Sequence, residues 1–226
     1  MSQPFSSTPT PQLVLFDLDG TLVDSLPGLT MATDQMLLSL GRAPAGIAAV
    51  CQWVGNGAAT LVRRALSNSI EVDKSLDPQL VNEALKVFMH AYRESIAEGT
   101  VLYPGVRGFL DELKLRKVPM AIVTNKPEGF VPDIINSLEL HGYFQLVVGG
   151  DTLATKKPDP EPLLHAAKSF SVPPARVLMV GDSRHDVRAA RNAGMPVACV
   201  TYGYNHGESI AESSPDWVVD SFMELL

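Results

Sequence analysis

The chain has 226 residues, 46% of them hydrophobic and 19% charged, with a formal net charge of −7. That balance excludes an intrinsically disordered polypeptide and suits one large domain, or a medium domain carrying a small second one. The net negative charge argues against a nucleic-acid or membrane-surface partner. No apolar run approaches the roughly 18 residues of a membrane span.

Taken in chain order, residues 1–12 are rich in Ser, Thr and Pro and have neither the charged start nor the apolar segment of a signal peptide, so they read as a disordered tail. Residues 13–16, Leu-Val-Leu-Phe, form a continuous apolar run, the pattern of a strand covered on both faces. From Asp24 to Thr100 no strand pattern follows. Helical patterns fall instead near residues 27–40, 58–68 and 78–97, the last with Leu80, Ala84, Val87, Phe88, Ala91 and Ile96 on one face. This reads as a helical module over residues 24–99, inserted after the first strand, with exits near Asp24 and in the Gly- and Pro-containing stretch 99–105. Beyond it, apolar runs at 120–123, 146–148, 177–180, 197–200 and 217–219 alternate with helical segments at 106–117, 127–140, 161–171 and 186–193. Such alternation predicts βαβ units and an α/β fold whose sheet is mostly parallel, built from residues 13–23 and 100–226. The two cysteines, Cys51 and Cys199, are far apart in apolar surroundings and read as buried, reduced thiols of a cytoplasmic protein.

The chemistry-bearing residues cluster at predicted strand ends, where open α/β sheets bind ligands. Asp17 and Asp19 follow the first strand, with Gly20 permitting a sharp exit; one acid suits a nucleophile or metal ligand, the other a proton carrier. Asp182 and Asp186 follow the 177–180 strand, and so many carboxylates in a partly dry crevice require a hard cation, best matched by Mg²⁺. Thr124 and Asn125 end the 120–123 strand and offer a hydroxyl and backbone amides to phosphate oxygens. Lys157, beside Pro158, offers a positioned charge. Singly, each has an ordinary alternative: solvated loop acids, a helix-dipole acid at Asp186, a helix-opening Thr, a surface Lys. Four strand ends supplying nucleophile, hydroxyl, cation and metal acids together make coincidence a poor explanation.

These motifs resemble those of the haloacid dehalogenase superfamily: Asp17-Leu18-Asp19-Gly20-Thr21 the first, Thr124 the second, Lys157 the third and Gly181-Asp182-Ser183 with Asp186 the fourth. Lys157 is taken over Lys156 because the motif's lysine directly precedes the proline. Asp19 distinguishes the chain from the dehalogenase branch, and Val23-Asp24-Ser25 with Trp53-Val54-Gly55-Asn56-Gly57 looks most like bacterial phosphoglycolate phosphatases. The resemblance implies a Rossmann-like core with a helical cap that opens and closes. It implies nucleophilic Asp17, acid–base Asp19, and phosphate binding by Thr124 and Lys157. Mg²⁺ would be held by Asp17, the Asp19 carbonyl and Asp182, with Asp186 in support.

The expected partner is a small phosphate ester, with 2-phosphoglycolate the leading candidate, and the protein a monomer or homodimer. Specificity is expected from the cap: amides at Gly55, Asn56 and Gly57, and Arg63 or Arg64 as a carboxylate clamp, against the equal alternative of a solvated helix face. The histidines, including His185, are expected at surface or boundary positions with no catalytic role. Two rival readings share the motifs: a sugar phosphomutase or sugar-phosphate phosphatase, and a non-catalytic binding protein that keeps the fold.

Overall fold

The computed structural model of the protein describes residues 3–5 and 10–226. Strand β1 (Leu13–Phe16) leads through the short β2 (Val23–Asp24) into four helices, α1 (Leu26–Ser39), α2 (Gly46–Trp53), α3 (Ala58–Ser67) and α4 (Pro78–Gly99). The chain returns through β3 (Val101–Leu102) to α5 (Val106–Leu115), β4 (Met120–Val123), α6 (Val131–Ser137), β5 (Leu146–Val148) and α7 (Glu161–Ser169). It ends with β6 (Val177–Gly181), α8 (Arg184–Ala193), β7 (Val197–Val200) and β8 (Trp217–Val219). Six strands form one sheet in the order β5-β4-β1-β6-β7-β8, every neighbouring pair parallel.

The expected strands are all present because each run is apolar at every position, and the pleat sends alternate side chains to two different cores. Val14, Phe16, Ile122 and Val180 face one side with Phe109 and Leu110 of α5 and Phe222 near the C-terminus. Leu13, Leu15, Val123 and Met179 face the other with Leu163 of α7 and Ala189 and Ala190 of α8. Phe16 anchors the first core through rings of Phe109, Phe144 and Phe222, each at 6.1 Å. The chain winds from β1 to β4 and β5 on one side, then to β6, β7 and β8 on the other. The strand order therefore reverses at β1, which opens a crevice at its carboxyl end.

Three local details differ from the sequence expectation. A helix, α2, occupies Gly46–Trp53, where no pattern suggested one. The ends of the inserted module pair as an antiparallel ribbon, Val23 opposite Leu102 and Asp24 opposite Val101. Residues 127–140 divide into a 3₁₀ turn at Glu128–Phe130 and α6. Of the stretch read as a disordered tail, residues 1–2 and 6–9 lie outside the described residues, whereas Phe5 is buried edge-on against Phe109 with ring centres 6.1 Å apart. Among the described residues no helix is long and apolar enough to cross a membrane.

Helices α1 and α4 cross at a glycine pair. A Cβ on Gly99 would lie 2.4 Å from Gly28 Cα and 2.5 Å from its nitrogen, inside van der Waals contact with backbone that cannot rotate away. Gly99→Ala is therefore expected to destabilise the protein by about 1–3 kcal/mol through overpacking, read as a lower urea midpoint. A midpoint equal to that of the parent would mean the crossing yields without cost.

Candidate active site

The crevice is built by residues that leave the sheet in different directions. Asp17 follows β1 with its backbone N–H donating to Val180 O at 2.9 Å, so the carboxylate is pinned between β1 and β6. Gly20 then turns with φ of +82°, and a Cβ there would sit 2.4 Å from Asp182 Oδ2. Only glycine satisfies both demands. Asp182, just past β6, is held by two donors, Thr21 Oγ1 to Oδ1 at 2.8 Å and Tyr204 N–H to Oδ2 at 2.5 Å. Asp186 closes a capping box on α8, its Oδ2 accepting from Ser183 N at 3.1 Å and Ser183 Oγ at 2.6 Å. Its other oxygen receives Lys157 Nζ at 2.6 Å, and the same ammonium lies 2.9 Å from Asp17 Oδ1.

Asp17, Asp182 and Asp186 present carboxylate oxygens within 4.8 Å of one another. Burial, partly offset by Lys157, pushes Asp17 up to about 6. Burial and then the charges of Asp186 and Asp17 hold Asp182 well above the ordinary range. Asp186 goes the other way: burial would raise it, but Lys157 and Ser183 outweigh burial and keep it low. Lys157 is buried too, yet Asp17 and Asp186 keep it charged, above its ordinary value. Three carboxylates face one ammonium, so full ionisation would leave two negative charges uncompensated in a nearly dry space, which is why Asp17 and Asp182 resist it. An all-oxygen donor set with that deficit fits a hard divalent cation.

Asp19 lies apart from this cluster. Its two oxygens receive Lys126 Nζ at 2.7 and 2.8 Å, and Oδ1 also accepts from Ser25 Oγ at 2.6 Å. Any metal contact from Asp19 would therefore come from its backbone carbonyl, with the side chain turned elsewhere. Sequence reasoning missed Lys126, although Lys126-Pro127 carries the same lysine-before-proline signal that singled out Lys157.

Thr124 is buried at the end of β4, its Oγ1 accepting from Lys126 N–H at 3.2 Å. The Asn125 side chain spends its amide N–H groups on the backbone of two loops. Its Nδ2 bridges Gly55 O and Lys157 O, both at 3.0 Å, and so ties the cap loop to the lysine loop. Around the same seam Lys156 Nζ donates to Asn56 O at 2.8 Å, and Asn56 Nδ2 meets His185 Nε2 at 3.0 Å. His206 Nδ1 meets Gln52 O at 2.9 Å. His185 and His206 are thus buried under the cap rather than at the surface, and burial pushes His185 down to about 4, which keeps it neutral. The expectation for the arginines is also corrected. Arg64 donates to Trp53 O at 2.7 Å and Ile70 O at 2.9 Å within the cap, Arg63 is exposed, and neither lines the cavity. Cys51 is half-buried where a buried thiol was expected.

Between cap and core lies a cavity of about 50 Å³. Asp17, Asp19, Thr124, Asn125 and Lys126 form its floor, and Gly55 and Gly57 stand at its rim. The cap side is apolar, with Leu29, Val54, Ala58, Leu61 and Phe88, and Tyr92 completes it beside the core residue Phe130.

A parallel sheet with acids gathered where its strand order reverses, beneath helices inserted after the first strand, defines the class. The chain belongs to the haloacid dehalogenase-like hydrolases, whose family description matches residues 14–200. Within that class it is 52% identical over 225 residues to phosphoglycolate phosphatase 1 of Pseudomonas aeruginosa, covering 100% of this chain and 82% of that protein. It is also 52% identical over 216 residues to a phosphoglycolate phosphatase of Pseudomonas fluorescens, covering 96% of this chain and 79% of the relative. A crystal structure described as a predicted phosphoglycolate phosphatase from Haemophilus somnus superposes with a TM-score of 0.90 at 34% identity, covering 97% of this chain and 98% of the other.

Proposed function

We propose that the protein is a Mg²⁺-dependent phosphatase of the cytoplasm that hydrolyses 2-phosphoglycolate to glycolate and phosphate through an aspartyl-phosphate on Asp17. The observation that carries this reading is the Asp17 carboxylate shared with Lys157, beside Asp182 and Asp186, at the point where the strand order reverses. The names of relatives at 52% identity support the substrate.

Asp17 attacks phosphorus, and the bond to the ester oxygen breaks as Asp19 gives that oxygen a proton. Asp19 then takes a proton from the water that cleaves the aspartyl-phosphate, which regenerates Asp17 and releases phosphate. Lys157 and the Thr124 hydroxyl bind oxygens of the transferring group, and positioning of this kind is the main protein contribution to phosphoryl transfer. Mg²⁺, held by Asp17, Asp182 and the Asp19 carbonyl with Asp186 in support, would neutralise charge on the phosphoryl oxygens. Residues 24–99 act as a cap whose closure, sealed along the Gly55–Asn56 seam, keeps water out during the first half-reaction.

The test is phosphate release from a panel of small phosphate esters and sugar phosphates, with Mg²⁺ and with chelator. Selective, chelator-sensitive turnover of 2-phosphoglycolate is expected. Selective turnover of a sugar phosphate would remove the substrate and keep the chemistry. Turnover that ignores chelator would remove the metal.

A further inference from the structure

Among the described residues, Lys126 is the one cationic side chain lining the cavity under the cap, and the mechanism above gives it no contact with substrate. It is 5% exposed. Its Nζ is ion-paired with the Asp19 carboxylate at 2.7 Å. Its Nζ sits 4.5 Å from the Tyr92 ring centre, on the aromatic face of helix α4. An ammonium has three N–H donors; Asp19 takes two of them, at 2.7 and 2.8 Å, and the Tyr92 hydroxyl, which also interacts with the ammonium, is the group a substrate carboxylate would displace.

We infer that Lys126 reads the leaving group: its ammonium receives the carboxylate of a short phosphorylated 2-hydroxy acid while it holds Asp19 at the ester oxygen. This deepens the proposed function and rests on it. In such an acid the ester oxygen and the carboxylate are attached to the same carbon. The group that protonates the oxygen and the group that binds the carboxylate must therefore be neighbours, and Asp19 and Lys126 touch. The rest of the wall argues the same way. Leu29, Val54, Ala58, Leu61 and Phe88 would leave the hydroxyls of a sugar without partners, a cost that a two-carbon acid avoids. The carboxylate clamp expected from the cap arginines thus belongs to the core, one residue past Asn125.

The experiment compares kcat/KM for 2-phosphoglycolate and for ethyl phosphate, which has the same skeleton without the carboxylate. It uses the full chain with Mg²⁺, as wild type and as Lys126→Met. A general effect of the mutation on Asp19 cancels in the ratio of the two substrates. Wild type should favour 2-phosphoglycolate, and Lys126→Met should cut that preference by about 10- to 100-fold, the effect of one charged hydrogen bond. A preference retained in the variant overturns the inference and leaves the substrate intact. A wild type with no preference overturns the substrate instead. Should Lys126→Met not fold, Lys126→Gln, which keeps a donor for Asp19, takes its place in the same ratio: a reduced preference supports the inference and a retained one overturns it.

Discussion

Replacing Asp17 with asparagine is expected to lower phosphate release by on the order of 10⁴-fold or more, because the amide cannot form the phosphoenzyme. The same change should stabilise the metal-free protein at neutral pH. Asp17 sits at about 6 in the folded chain, against 3.8 for an unperturbed aspartate. A carboxyl raised on folding contributes its full stability below its unfolded pKa and loses it as pH rises through the folded one. Wild type in chelator therefore weakens between about pH 4 and pH 6, and by neutral pH it carries roughly 2–3 kcal/mol of strain that the amide lacks. Urea unfolding of both proteins at pH 4 and pH 7.5 measures it. A stability gap that does not widen with pH would detach the strain from Asp17.

Lys157→Met should have the opposite effect on stability. The ammonium is 2% exposed, hydrogen-bonds Asp186 at 2.6 Å and is ion-paired with Asp17 at 2.9 Å. Its removal leaves three carboxylates buried without a counter-charge, which typically costs about 3–5 kcal/mol, or roughly 10 °C in melting temperature for a chain of this size. Activity should fall on the order of 10²-fold or more with the loss of one charge aimed at the transferring group. Mg²⁺ should recover part of the melting temperature, because an ion bound by the three carboxylates would supply charge to the same oxygens. If the variant melts with wild type in chelator, the ion pairs do not carry the weight assigned to them.

The sheet was legible because its strands are apolar at every position, a signal that survives without any knowledge of neighbours. The acids gathered in the crevice were legible as a group because they follow those strands. What escaped depended on contacts made across the cap. Helix α2 buries only Val50 and Trp53, too few positions to show a period. The ribbon strands are two residues each, shorter than any pattern. His185 sits between Arg184 and Asp186 and reads as surface, yet Asn56, 129 residues away in sequence, covers it. Which arginine of α3 turned inward was not readable either, since Arg64 is satisfied by carbonyls at Trp53 and Ile70 that only the folded cap brings near. Lys126 is a different failure, since its proline neighbour was in view.

The β2–β3 ribbon has a consequence for the modularity of the molecule. Asp24 and Val101 stand opposite one another, so the whole helical insert leaves and rejoins the sheet domain roughly 5 Å apart. A segment attached at neighbouring points is a graft: a tight turn can replace it, or another segment can take its place, without moving any strand that carries an acid. Change in the insert reshapes the apolar side of the chamber, while Lys126 and the acids stay fixed to the sheet.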